Sequence, residues 1–299
     1  MGSNARGSCE IPGSVAATVD IRTPQRPDSV GSSAAERAAQ QATDCIAEEV
    51  PVALVFNGIS HAVMMTSPMD LEDFALGFSL TEAILQHPAE LYDVEVVQEE
   101  RGISVQMQIS AQRLAQLKQQ RRNLTGRTGC GLCGTESLEQ AIRPVPQVQA
   151  PPLSDQAIQR ALGALQQHQP LQGLTGASHG AAWCNGDGDI LLAREDVGRH
   201  NALDKLIGAL VRAELPRDGG FALVSSRASY EMVQKTCSAG IGALVAVSAP
   251  TALAIEQARL GGLMLVGFAR PGRHVIYHPG NPGQQDNNPH SVNTARAAG

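Results

Sequence analysis

Between residues 50 and 66 the chain reads "VPVALVFNGISHAVMMT", two apolar-rich runs on either side of an Asn-Gly pair. Asn57-Gly58 predicts a hairpin, because the tight turn between twisted strands needs positive φ at both central positions. "YDVEVVQEERGISVQMQIS" alternates apolar and polar positions and predicts a second hairpin turning at Gly102. Between the two, "SPMDLEDFALGFSLTEAIL" changes to a helical period, with Ser67 as expected N-cap, Pro68 at the first position and acidic residues in the first turn. "AQRLAQLKQQRR" resumes the helical period, and a further helix is expected from about Ser154 to Gln167.

From Phe221 onward short apolar runs alternate with amphipathic ones. "FALVSS", "ALVAVS" and "LMLVGF" read as buried strands, with "ASYEMVQKTCSAG" and "PTALAIEQARLGG" as the helices between them. That order predicts parallel βαβ units with helices on a shared sheet. The proline-rich "RPVPQVQAPPLS" marks a boundary, giving an N-terminal α+β portion over 46–150 and a C-terminal α/β portion over 151–278. Residues 1–45 and 279–299, rich in Gly, Ser, Pro, Gln and Asn, are expected to be disordered tails.

Composition narrows the function. Aromatics make up only 3% of the 299 residues, so the core must be aliphatic. A formal charge of −6 argues against a general nucleic-acid or membrane-surface binder, and any anion site must be a local one. No apolar run approaches the length of a membrane span, and the start lacks the apolar stretch of a signal peptide. The six cysteines are unevenly spaced, unlike a secreted disulfide framework. A cytoplasmic protein with reduced thiols is expected.

Ligands of a parallel sheet lie beyond the carboxyl ends of its strands. The segments leaving that edge are Ser225–Arg227, Ser248–Thr251 and Ala269–Arg273. The first two run into helix N-termini, which favour an anion, and the third supplies Arg270 and Arg273 around Pro271-Gly272. Together they point to a phosphorylated, nucleotide-like ligand. A second polar concentration, "REDVGRHNALDK", brings Arg199, His200 and Asn201 to a loop and helix start, where they are expected to bind the ligand. His179, among small residues before a strand, is expected to be structural.

The stretch "RTGCGLCG" sets Cys130 and Cys133 two residues apart among glycines, in an expected mobile loop over 126–136. Structural zinc would need scattered partners, and the His-x-Glu of a zinc deaminase is missing. A redox pair is less expected after a basic polar segment. A nucleophilic carrier thiol suits the mobility and the charge of Arg121, Arg122 and Arg127, which favours the thiolate. Cys184 and Cys237 sit in apolar runs and are expected in the core.

Taken together, "RTGCGLCG", "EDVGRHNALDK", "YEMVQK", "SAPTALAI" and "LVGFARPGR" resemble the FdhD family of formate dehydrogenase accessory sulfurtransferases, over about residues 46–278. The resemblance implies a cytidine-deaminase-like α/β core, a mixed sheet flanked by helices, without the deaminase zinc site or any other metal. It implies that sulfur from a cysteine desulfurase passes as a persulfide on Cys130, with Cys133 as partner, to the molybdenum or tungsten bis(molybdopterin guanine dinucleotide) cofactor of formate dehydrogenase. Phe268, Ala269, Arg270, Pro271, Gly272 and Arg273 match the cofactor-binding segment, and a homodimer is implied. Ser226 stands where the family usually has glycine. Two readings remain beside the carrier: a non-catalytic cofactor-binding chaperone and a zinc-stabilised module.

Overall fold

The structure of the chain, a computed structural model, describes residues 9, 11–21, 40–125 and 143–281. The CxxC stretch, with Cys130 and Cys133, lies outside the described residues, as do residues 282–299 of the expected C-terminal tail.

Part of the expected N-terminal tail is ordered. β1 (Ser14–Ile21) and β2 (Gln40–Ala47) pair antiparallel from Ser14↔Ala47 to Ile21↔Gln40. Val15, Thr18, Val19, Thr43 and Ile46 supply the β-branched side chains that favour this. Cys9 and Cys45 form a disulfide, which corrects the expectation that the thiols are all reduced.

Both predicted hairpins form. β3 (Val50–Phe56) and β4 (Ile59–Thr66) turn at Asn57 and Gly58, with φ of 47° and 78°. β5 (Leu91–Glu99) and β6 (Gly102–Ile109) make the second, and β3 runs parallel to β6 in a four-stranded sheet of order β4-β3-β6-β5. Gly102 is required there, since a Cβ would stand 2.3 Å from the Pro51 carbonyl oxygen. α1 (Leu71–Thr81) covers one face, packing Phe74 and Phe78 with Val52, Leu54, Val105 and Met107. α2 (Ala111–Thr125) adds Leu117 to the same core.

Ser67 does not cap α1. The N-cap is Asp70, in the left-handed region at φ 54° and without a side-chain cap. The polar groups of Ser67 are committed elsewhere, as shown below.

The C-terminal elements are α3 (Asp155–Leu165), α4 (Pro170–Thr175), β7 (His179–Cys184), β8 (Ile190–Asp196), α5 (Arg199–Arg212), β9 (Phe221–Val224), α6 (Tyr230–Ser238), β10 (Ala243–Ala246), α7 (Ala252–Gly261), β11 (Met264–Arg270) and β12 (Arg273–Pro279). The sheet order is β12-β11-β10-β9-β7-β8, with β9, β10 and β11 parallel, as predicted, and the outer strands antiparallel. Leu244 and Ala246 face α5, α6 and α7, whereas Ala243 and Val245 face α3. Burial on both faces is why these strands read as continuous apolar runs.

Two helices join the halves. α1 crosses α5 so closely that a Cβ on Gly77 would lie 1.8 Å from the Asp204 carbonyl oxygen, and one on Gly208 1.9 Å from that of Asp73. The proline-rich segment lies extended against the large sheet's surroundings, with Val148 N–H donating to Gly261 O and Ala150 N–H to Asn281 O.

Candidate functional site

The registers place one set of segments on a single edge. β9, β10 and β11 end there, while antiparallel β7 begins there with His179, paired to Asp196 at the end of β8. Beyond the strands the backbones stay tied: Ser248 N–H donates to Ser226 O (3.3 Å), Thr251 N–H to Ala228 O (3.0 Å) and Phe268 N–H to Ser248 O (3.0 Å). The three segments expected on one edge are brought together.

Their side chains divide by role. Ser225 Oγ accepts from Gly180 N–H at 2.9 Å, and Thr251 caps α7 by accepting from Ala254 N–H. Arg227 and Ser248 are exposed. Phe268 sits at φ 48° within a bulge of β11 and shows its ring to solvent, while Ala269 is buried behind it. Arg270, Pro271, Gly272 and Arg273 form the exposed turn into β12, where Gly272, at φ 77°, donates its N–H to Gln159 Oε1 at 2.7 Å.

The motif at 194–205 faces two ways. Asp196 and Lys205 meet inward at 2.7 Å, both fully buried. Asp196 Oδ2 also accepts from Thr66 Oγ1 (2.5 Å) and Ser67 N–H (3.0 Å), and Oδ1 accepts from Gly198 N–H (2.7 Å) and Asn201 Nδ2 (3.0 Å). Lys205 Nζ donates to Ser67 O, and Val197 N–H to Ser67 Oγ. Asn201, expected at the ligand, is thus held inside, its Nδ2 donating also to Met65 O at 2.8 Å. Glu195 closes another internal contact, accepting the N–H groups of Leu171 and Gln172 at 2.8 Å each at the start of α4.

Arg199 and His200 remain at the edge, half-buried. His200 Nε2 lies 2.9 Å from Glu231 Oε2, out of hydrogen-bonding alignment. Burial pushes His200 below its usual value, and Arg199, Lys235 and Arg227 push the same way against Glu231. Burial and Arg199 likewise lower His179, against Asp196. Arg199 Nε and Ser229 Oγ are buried without a hydrogen-bond partner among the described residues. Donors in surplus along an edge suit an anion.

A second buried network anchors the chain next to the undescribed segment. Lys235 Nζ donates to Asp204 Oδ2 (2.9 Å), Glu82 Oε1 (2.9 Å) and Thr81 Oγ1 (3.0 Å). Arg143 pairs with Glu82 Oε2 at 2.8 Å and its backbone N–H donates to Tyr230 Oη at 2.9 Å. Tyr230 opens α6, whose start lies on the carboxyl edge. Residue 143, where the described chain resumes after 126–142, is therefore fixed at the site. Sequence reasoning missed this anchor because, although Tyr230 opens the YEMVQK motif, nothing local pairs it with Arg143, 87 residues away. Cys184 and Cys237 are buried in the core as expected, and burial pushes each thiol up to about 12.

Among the described residues no group of His, Cys, Asp and Glu is placed to hold a metal ion, and no helix is long and apolar enough to cross a membrane. Fold and edge together define a mixed α/β protein, sheets with flanking helices, presenting an anion-friendly sheet edge. Residues 47–281 match the FdhD/NarQ family, and the chain belongs to it. It is 56% identical over 238 residues to the sulfur carrier protein FdhD of Cupriavidus necator, covering 79% of this chain and 83% of that one. The protein of the same name from Bordetella petrii is 54% identical over 239 residues, covering 79% and 86%. A crystal structure of a formate dehydrogenase accessory protein from Desulfotalea psychrophila superposes with a TM-score of 0.68 at 21% identity, covering 89% of this chain and 97% of that one. That likeness supports the fold.

Proposed function

We propose that this chain is a sulfurtransferase that carries sulfur on Cys130 from a cysteine desulfurase to the molybdenum bis(molybdopterin guanine dinucleotide) cofactor of formate dehydrogenase, its substrate. The Cys130 thiolate attacks the terminal sulfur of the donor's persulfide; a new S–S bond forms, and the donor's cysteine leaves as thiolate. Attack of Cys133 on the Cys130 sulfur then forms a Cys130–Cys133 disulfide and releases the terminal sulfur as hydrosulfide equivalent to the cofactor. A thiol reductant resets the pair.

The observation that carries this reading is the 56% identity over 238 residues to a protein named a sulfur carrier, joined to an edge where Arg199 Nε and Ser229 Oγ stay unpaired among the described residues. Phosphates of the cofactor are assigned to Arg199, His200, Arg227, Ser248 and the Phe268–Arg273 turn, with Ser225 and Thr251 shaping the edge. The core is read as cytidine-deaminase-like, and the working unit as a homodimer in the cytoplasm.

Intact-mass spectra after incubation with a cysteine desulfurase and cysteine test the proposal. A gain of about 32 Da per sulfur on the native chain, absent from Cys130→Ala, is expected. No gain on the native chain, with the desulfurase shown to be active, would turn the reading to a cofactor-binding chaperone in which Arg270 and Arg273 matter and the thiols do not.

A further inference from the structure

The exposed turn from Arg270 to Arg273, which joins β11 to β12, is held from α3 by a row of three side chains. Gly272 N–H donates to Gln159 Oε1 at 2.7 Å. A backbone N–H can only donate, so this bond fixes which end of the amide faces the turn. Gln159 Nε2 then points at His274 Nδ1, 3.1 Å away, and His274 Nε2 lies 3.1 Å from Asp155 Oδ1. With the amide nitrogen donating, Nδ1 must accept, so the ring proton sits on Nε2 and is given to Asp155. The His274 side chain is 10% exposed, which leaves the row itself to satisfy both ring nitrogens. Asp155 and Gln159 are four apart and share a face of α3, while Ala157, Ile158 and Ala161 pack that helix on the sheet beside Ala269.

This assignment holds for a neutral ring. Protonation of His274 puts a second N–H at Nδ1, facing the amide nitrogen, donor against donor. Turning the amide over brings Gln159 Oε1 to the ring and sets Nε2 against Gly272 N–H, so the bond to the turn is lost. Gln159 can hold the charged ring or the turn, not both. Asp155 is the charged side chain paired with the ring. The other charged or titratable residues on the three elements are Arg160, which pairs with Asp189 at 3.3 Å, and Arg270 and Arg273 of the turn itself. Tyr277 and His278 lie toward the far end of β12, where His278 Nδ1 meets Leu263 O.

We infer that Gln159 and His274 are positioning residues for the Arg270–Arg273 turn, forming a proton-operated latch that holds the turn while the ring is neutral and releases it when the ring is charged. Histidine is the side chain whose charge ordinarily changes between about pH 5 and 8. A turn pinned at Gly272 presents the arginines on either side of it in one arrangement, so binding has less ordering to supply. The use of the latch in binding rests on the assignment of phosphates to this turn made above; the latch itself does not. Neither Gln159 nor His274 was among the residues expected at the ligand.

Nuclear magnetic resonance on the full chain, with labelled glycine and histidine, reads the latch in the native protein and needs no variant to fold. As pH falls through the histidine range, the Gly272 amide signal should leave its hydrogen-bonded position in step with the His274 ring signals. In Gln159→Leu the two should be uncoupled. In Gln159→Glu one carboxylate accepts from Gly272 N–H and from a protonated ring together, so the Gly272 signal should stay in place while the ring titrates. A Gly272 signal that ignores His274 in the native chain, or follows it equally in Gln159→Leu, would overturn the latch. Calorimetry with inorganic pyrophosphate, at one pH above the histidine range, tests the positioning. Affinity is expected to fall about fivefold in Gln159→Leu and further in Arg270→Ala. A loss in Arg270→Ala with none in Gln159→Leu overturns the positioning role and leaves the phosphate reading standing. No binding by the native chain, with the Gly272 signal still following His274, removes the phosphate reading and keeps the latch.

Discussion

Asp196 and Lys205 form a salt bridge at 2.7 Å with neither side chain open to solvent, at the point where the end of β4 meets β8 and α5. Five donors converge on the Asp196 carboxylate from Thr66, Ser67, Gly198, Asn201 and Lys205, so β4, β8 and α5 are stitched at one point.

Removing one partner leaves a buried charge without its counter-ion. Lys205→Met is expected to lower unfolding free energy by about 3–5 kcal/mol. Urea denaturation followed by circular dichroism checks this, and a change below about 1 kcal/mol would mean that the remaining donors suffice for the carboxylate.

The α1–α5 crossing predicts a contrast between two glycines. A methyl group at Gly208 would meet the Asp73 carbonyl oxygen at 1.9 Å, so Gly208→Ala should cost about 1–3 kcal/mol or more as the helices separate. Gly163, exposed within α3 with nothing near its missing Cβ, should tolerate alanine and gain up to about 1 kcal/mol. Paired thermal melts of the two variants give the comparison. Equal melting temperatures would remove the close crossing as a source of specificity.

Glu82 predicts an acid dependence. Burial raises its pKa, but Lys235 and Arg143 outweigh burial and the net position is below 4.5. A carboxyl group lowered on folding stabilises the native state above its unfolded value, and the contribution is lost as pH falls through the folded value. The stability deficit of Glu82→Gln should therefore be largest above pH 4.5 and shrink below it. A deficit constant from pH 7 to 3.5 would assign the effect to packing.

The thiols should separate by reactivity. With their thiols raised to about 12, Cys184 and Cys237 should resist iodoacetamide at pH 8 in the folded protein and react after unfolding. Peptide mapping without reductant should find the peptide of Cys9 joined to that of Cys45. Separate, alkylated peptides would remove the disulfide that holds the start of β1 to β2.

What the sequence discloses and what it hides follow from range. The Asn57-Gly58 hairpin and the β9–β11 units were legible, because turn chemistry and two-faced burial write themselves into neighbouring residues. Ser67 misled for the opposite reason: a serine before proline has the form of a cap, while its groups serve Asp196, Val197 and Lys205 about 130 residues away. β1 and β2 were hidden in a composition typical of tails. The carboxyl edge could be placed from strand order alone, whereas the hydrogen bond from Arg143 N–H to Tyr230 Oη could not, because it joins residues 87 apart and no local pattern announces it.

The inward and outward division of residues 195–205 has a consequence for genetics. Glu195, Asp196, Asn201, Asp204 and Lys205 fail by loosening the protein, whereas Arg199 and His200, turned to the edge, are expected to fail with the protein intact. A saturation screen scored only by growth would merge them into one uninterrupted block of intolerance. Repeating the screen at low temperature should split it, rescuing the interior substitutions and leaving two adjacent positions dark.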